Sequence, residues 1–161
     1  MAVWQFDIAL VPVSALAADP NLFANSKTPD GLETSSWWTD YPEKKDLDGE
    51  IGEILPKGKS WHDDLSAWGD EDGSRIDVWR DKGALDSISI RIDANTPDSD
   101  FLRTVCDLAV SIHCKFYGYE SHSLIEPDVQ SLANALRKSG ASKFVADPQR
   151  YLTEIAESAD N

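Results

Sequence analysis

His62-Asp63-Asp64 and His113-Cys114 are the short clusters of this sequence that contain metal-binding side chains. Imidazole, thiolate and carboxylate groups can ligate a metal, and His62 and Asp63 could also serve as general base and acid. Neither cluster has the C-x-x-C or H-E-x-x-H spacing that directs several ligands to one ion. We therefore predict no catalytic residue, no metal and no cofactor. A small metal-dependent or acid/base hydrolase using His62, Asp63 and His113 is kept as an alternative, and it requires these side chains to converge.

The charge of the chain is strongly negative and unevenly distributed. The 161 residues include 29 Asp and Glu against 15 Lys and Arg, a formal net charge of −14. Such a surface repels a polyanion, so we expect no nucleic acid among the direct partners. Residues 40–72 contain 11 acidic and 4 basic residues, which places half of the net charge in a fifth of the chain. This pattern favours a positively charged protein as the partner.

Tryptophan is concentrated close to the acidic segment, with five of the six residues between positions 37 and 79. Trp is enriched at binding hot spots, but a large aromatic residue is on average highly buried. A single Trp therefore favours a place in the core, whereas the pair Trp37-Trp38, in a polar stretch, leaves both interpretations open. We predict an acidic, Trp-containing docking face that consists of Trp37, Trp38, Asp46, Asp48, Glu50, Glu53, Asp63, Asp64, Asp70, Glu71 and Asp72.

The N-terminal two thirds of the chain predict strands with one long interruption. Residues 3–13 alternate as a first strand that ends near Pro12. Residues 19–60 are rich in turn-forming residues and are predicted as a long irregular insertion, with short helical pieces near 21–25 and 47–55. Residues 61–93 predict an antiparallel meander, because Ile88, Ile90 and Ile92 alternate with polar residues and Asp-Gly turns separate the strands.

The C-terminal third predicts three helices. The first begins with Thr96 as N-cap and Pro97 as its first residue, and the second runs from Pro127 to a stop at Gly140. The third follows Asp147-Pro148 and directs Tyr151, Leu152 and Ile155 inward. Strands followed by helices indicate an α+β fold, a meander sheet with about three helices on one face, in a single domain over residues 1–161.

The two cysteines and the apolar segments indicate the compartment. Cys106 and Cys114 are predicted in one helix, about 12 Å apart, which is too far for a disulfide. Free thiols fit the reducing cytoplasm. The apolar stretch 8–18 lacks the basic leader of a signal peptide, and no run approaches the roughly 20 apolar residues of a membrane helix. We expect a cytoplasmic protein without a membrane partner.

The segments WGDEDGSRIDV, SISIRID and KFVADPQRYLTEI, with a helix containing Phe101-Leu102, resemble small acidic bacterial proteins. Among these are immunity proteins of contact-dependent and polymorphic toxin systems, and the resemblance covers about the last hundred residues in layout and composition. It implies a non-catalytic binder that blocks a basic toxin, and it transfers no catalytic residue. A structural subunit of a homo-oligomer, with Trp residues at the self-interface, is a further alternative, and the oligomeric state is left open.

Overall fold

The computed structural model, which describes residues 2–159, contains a six-stranded antiparallel sheet, a two-stranded hairpin and a set of helices. In chain order the strands are β1 (Gln5–Pro12), β2 (Lys27–Thr28), β3 (Gly31–Leu32), β4 (Leu65–Gly69), β5 (Arg75–Asp81), β6 (Ala84–Asp93), β7 (Cys114–Gly118) and β8 (Ser123–Ile125). The helices are α1 (Val13–Ala18), α2 (Leu22–Asn25), α3 (Leu47–Ile54), α4 (Ser99–Ser111), α5 (Val129–Lys138), α6 (Gly140–Ala146) and α7 (Pro148–Ala159), with a 3₁₀ helix at Ser35–Trp38. The predicted α+β fold with an antiparallel sheet is confirmed.

The first strand of the chain occupies the middle of the sheet. The strand order is β4-β5-β6-β1-β7-β8, so β1 pairs with β6 on one side and with β7 on the other. Ile8 lies opposite Ile90 of β6 and opposite Gly118 of β7. Both isoleucines are fully buried, because this face of the sheet is covered by helices. The N-terminal strand therefore joins the central meander to the C-terminal part of the chain.

The predicted meander is present as β4, β5 and β6. Ile76 pairs with Ile90 and Val78 with Ile88, and all four side chains are buried on the same face. The free edge of β4 is covered by the segment that follows α3: the Gly58 amide donates to the Ala67 carbonyl at 2.8 Å. This segment occupies backbone groups of β4 that would otherwise be open to another strand.

The helix after the meander begins later than predicted. Asp98, not Thr96, is the N-cap of α4, and its carboxylate accepts from the amides of Asp100 and Phe101. A carboxylate at this position satisfies two otherwise unpaired amides and interacts favourably with the helix dipole. Thr96 instead donates its hydroxyl to the Asp93 carboxylate at 3.0 Å.

The last two helices differ from the prediction in two ways. The second predicted helix, α5, ends at Lys138, close to the stop predicted at Gly140. Gly140 is, however, also the first residue of a further helix, α6, which Ser139 caps by accepting from the Ser142 amide. The prediction that Leu152 and Ile155 point inward is wrong, because they are 53% and 48% exposed. Of the three residues predicted to point inward, only Tyr151 packs its ring closely, against Gly140 and Phe144 of α6. Helical periodicity in α7 thus marks an apolar face that the core does not cover.

The segment 19–60 contains more structure than its composition suggests. Helical pieces were predicted near 21–25 and 47–55, and the structure confirms them as α2 and α3. The Thr34 hydroxyl donates to the Asp86 carbonyl of β6 at 2.9 Å, which fixes the start of the 3₁₀ helix against the sheet. Among the helices of residues 2–159, none is long and apolar enough to cross a membrane.

The cysteines are free, as predicted, and both are buried, but they do not share a helix. Cys106 lies in α4 and Cys114 is the first residue of β7, because α4 ends at Ser111 and the chain turns at His113 with a positive φ of 57°. Burial raises the pKa of the Cys106 thiol to about 11 and that of Cys114 to about 12. Both groups are therefore neutral at physiological pH.

We expect neither cysteine to react with iodoacetamide at pH 8 in the native protein, because the thiolate is the reactive form and both pKa values lie well above that pH. Mass spectrometry of native and urea-unfolded samples provides the measurement. Both thiols should be modified after unfolding, and rapid native alkylation at either position would contradict the burial described here.

Candidate functional site

The structure places the pair Trp37-Trp38 in the hydrophobic core. Their exposed fractions are 2% and 4%, so the prediction that these indoles belong to an exposed docking face is not supported. The Trp37 indole donates to the Ser26 hydroxyl at 2.8 Å and packs edge-on against Phe23 and Tyr117. The ring thus joins the segment 19–60 to β7. The interpretation that these rings fill the core beneath a long segment is the correct one.

The predicted acidic residues of α3 point away from the core, since the helix buries Leu47 and Ile51. Asp46 precedes the helix and Glu53 lies exposed in its last turn. Asp48 pairs with Arg80 at 2.8 Å, and Glu50 pairs with Lys44 at 2.6 Å.

Arg80 connects α3 and the preceding loop to β5 through its ion pairs with Asp48 and Glu43. Burial alone lowers the pKa of Arg80, but its hydrogen bonds to these two carboxylates outweigh that effect and raise the pKa. Asp48 is therefore engaged within the molecule, whereas Glu53 makes no ion pair among the described residues.

The other predicted acids lie in the turn between β4 and β5. The Asp70 carboxylate accepts from the Asp72 amide at 3.1 Å, and Glu71 lies 4.0 Å from the Arg75 guanidinium. This turn lines a cleft together with three further acidic residues, from the end of β6 and the start of α4. These are Asp93, Asp98 and Asp100.

This cleft continues as a groove between α3 and α4. Ile54 and Thr104 line the cleft at the turn and also the depression between the two helices, so the two are contiguous. The nine carboxylates that line the combined surface, which we call the acidic groove, are Glu50, Glu53, Asp70, Glu71, Asp72, Asp93, Asp98, Asp100 and Asp107. The three cationic side chains that line it are Lys57, Lys59 and Arg75. The acidic groove therefore has a strong excess of negative charge.

Sequence reasoning missed four of these carboxylates, Asp93, Asp98, Asp100 and Asp107, because they lie outside the acid-rich segment 40–72. Two signals could have found them. The predicted β5–β6 hairpin places Asp93 beside the turn at Asp70–Asp72, and the structure shows the Asp93 amide donating to Ser74 at 3.3 Å. The other signal is helical spacing, since Asp100, Thr104 and Asp107 fall on one face of α4.

An exposed tryptophan lies on the other side of the same turn. Trp61 is 72% exposed and packs edge-on against Trp79, with ring centroids 5.3 Å apart. Trp61 and Trp79 line a second cavity, which shares Glu71, Asp72 and Arg75 with the acidic groove. The predicted acids Asp63 and Asp64 lie two and three residues after Trp61 and are exposed. The structure thus brings an indole and predicted acids together at Trp61 instead of Trp37-Trp38.

The histidines of the hydrolase alternative do not converge. His62 precedes β4 and His113 precedes β7, and four strand spacings, about 19 Å, separate these strands in the sheet. Within residues 2–159 no group of three or more His, Cys, Asp and Glu side chains is arranged to hold a metal ion. The site that this alternative requires, with His62, Asp63 and His113 in contact, is therefore contradicted by the sheet order.

Comparisons with known proteins add no relative to this picture. No protein-family model matches the chain, and no significant match was found among curated proteins or solved structures.

The difference in burial between Trp37 and Trp61 can be tested by measuring the free energy of unfolding of variants. Trp37→Ala should lower the free energy of unfolding by about 3–5 kcal/mol, because it opens a cavity among Phe23 and Tyr117. The control Trp61→Ala should lower it by about 1 kcal/mol or less, since the ring is mostly in solvent and loses only its edge contacts with Trp79 and His62. Urea unfolding of both variants measures the difference, and equal losses would refute the assignment of Trp37 to the core.

Proposed function

We propose that this chain is a non-enzymatic binding protein whose acidic groove engages a basic protein partner. The observation that carries the proposal is the groove itself, in which nine carboxylates face three cations along a continuous surface between α3, α4 and the β4–β5 turn. A concave surface lined by one sign of charge concentrates the electrostatic potential and accelerates the encounter with a partner of opposite charge. The same potential opposes nucleic acid.

Several carboxylates of the acidic groove are available to a partner. Glu53, Asp72 and Asp107 form no ion pair among the residues that the structure describes. Others are already compensated, such as Glu50 by Lys44 and Asp100 by Arg103. Asp70, Asp93 and Asp98 likewise form no ion pair within the described residues, although their carboxylates accept hydrogen bonds from neutral donors. Basic side chains of a partner would therefore find uncompensated charge at these three positions as well as at Glu53, Asp72 and Asp107.

The most concrete form of this function is neutralisation of a toxin. The resemblance to bacterial immunity proteins implies a cytoplasmic, non-catalytic binder that covers a basic toxin, and an acidic groove is suited to that task. The two free, buried cysteines support a reducing compartment. An immunity protein of this kind inhibits by occupying its target, so it needs no catalytic group of its own.

The test is capture from the native host, with variants of matched charge. Glu53→Gln with Asp107→Asn removes two charges from the acidic groove, and the control Asp30→Asn with Asp40→Asn removes two exposed charges elsewhere. We expect wild-type protein and control to retain the same basic protein, identified by mass spectrometry. The groove variant should bind it on the order of tenfold more weakly, and wild-type affinity should fall as salt screens the charges.

Two results would contradict the proposal. One is that wild-type protein retains no basic protein under conditions of low salt. The other is that groove variant and control bind a basic protein with the same affinity, because the position of the charge would then be irrelevant.

A further inference from the structure

Trp61 has an environment that is unusual for tryptophan. A large aromatic side chain is normally buried to a great extent, yet 72% of this residue is in solvent. Its indole N–H makes no hydrogen bond within residues 2–159, so it is free to donate to another molecule. The ring thus offers apolar area and a polar donor on the surface.

The loop around Trp61 is organised by its own hydrogen bonds. The Ser60 hydroxyl lies 2.6 Å from the His62 carbonyl and 2.5 Å from the Leu65 carbonyl, and the Asp64 amide donates to His62 Nδ1 at 3.0 Å. The rings of Trp61, His62 and Trp79 form a three-membered cluster. The Trp61 centroid lies 6.0 Å from that of His62 and 5.3 Å from that of Trp79, and the latter two are 5.4 Å apart. An anchor held in its bound conformation loses little conformational freedom on association.

The surroundings of the indole indicate what it would contact. Asp63 and Asp64 follow it in the chain, and Glu71, Asp72 and Asp77 line the cavity beside it. Arg75 and Arg91 line the same cavity, but Arg75 pairs with Asp77 at 2.6 Å and Arg91 with Asp7 at 3.1 Å. The same pairing compensates Asp77, and Glu71 lies 4.0 Å from the Arg75 guanidinium. The carboxylates near the ring without a Lys or Arg partner among the described residues are Asp63, Asp64 and Asp72. The complement of this surface is an apolar pocket with a basic rim.

We infer that Trp61 is the apolar anchor of the docking interface and inserts into a pocket bordered by Lys or Arg side chains on the partner protein. This inference rests on the proposed function, because it takes the partner to be a basic protein. It assigns separate roles to two neighbouring surfaces. The acidic groove governs the rate of encounter, and Trp61 governs the lifetime of the complex, since hot-spot aromatics act mainly on dissociation.

The experiment measures association and dissociation rates separately. The probe is the basic protein recovered with wild-type bait, immobilised for biolayer interferometry against wild-type protein, Trp61→Ala, the double variant Glu53→Gln with Asp107→Asn, and Leu152→Ala. Leu152 is the matched control, because it is an exposed apolar residue on α7. We expect Trp61→Ala to raise the dissociation rate by roughly 30-fold or more with an association rate within about twofold of wild type. The groove variant should lower the association rate, and Leu152→Ala should change neither.

The outcomes separate the inference from the proposed function. If Trp61→Ala leaves the dissociation rate unchanged while the groove variant still slows association, the anchor assignment is wrong and the proposed function stands. If wild-type protein recovers no basic protein, the proposed function is wrong and the anchor assignment with it. If sedimentation shows that wild-type protein self-associates and Trp61→Ala is monomeric, Trp61 contacts a second copy, and the inference is overturned.

Discussion

The structure depends on the insertion of β1 between β6 and β7. Phe6 pairs with Ile92 on one side, and Leu10 pairs with Phe116 on the other. These side chains are almost entirely buried, so this strand contributes to the core along its whole length. Its partners lie about 80 to 110 residues away in the chain. Forming contacts between such distant residues costs loop-closure entropy. Once formed, they join the N-terminal strand, the meander and the C-terminal part of the chain in one sheet.

The acidic groove follows from the way in which the helices cover this sheet. α3 buries Leu47 and Ile51, and α4 buries Phe101, Val105 and Leu108, so each helix keeps its carboxylates on the solvent side. Because the two helices lie side by side, their polar faces meet along the groove that contains Glu53 and Asp107. The short connection from β6 to α4 then brings Asp93, Asp98 and Asp100 to the β4–β5 turn.

Local patterns predicted the fold better than they predicted the site. The alternation of Ile88, Ile90 and Ile92 and the turn segments that contain Asp and Gly determine a meander from neighbouring residues alone, and the meander is confirmed. The burial of the tryptophans could not be predicted in the same way. A single 3₁₀ turn is too short to show a periodic pattern of buried residues in the sequence. Trp37-Trp38, in a polar stretch, fill the core, whereas Trp61 remains in solvent, and only the tertiary packing of segment 19–60 decides between them. The number of residues between His62 and His113 likewise does not predict their distance in the fold, which spans four strand spacings of the sheet.

The proposed function requires that basic chains bind at the acidic groove and are not recognised by net charge alone. The most direct measurement is an NMR titration of ¹⁵N-labelled protein with a Lys- and Arg-rich decapeptide at low salt. The account predicts the largest chemical-shift changes along the groove, at Glu53, Asp107 and the turn Asp70–Asp72, with little change at the exposed acids Asp30 and Asp40. Changes of equal size at all exposed carboxylates would contradict it.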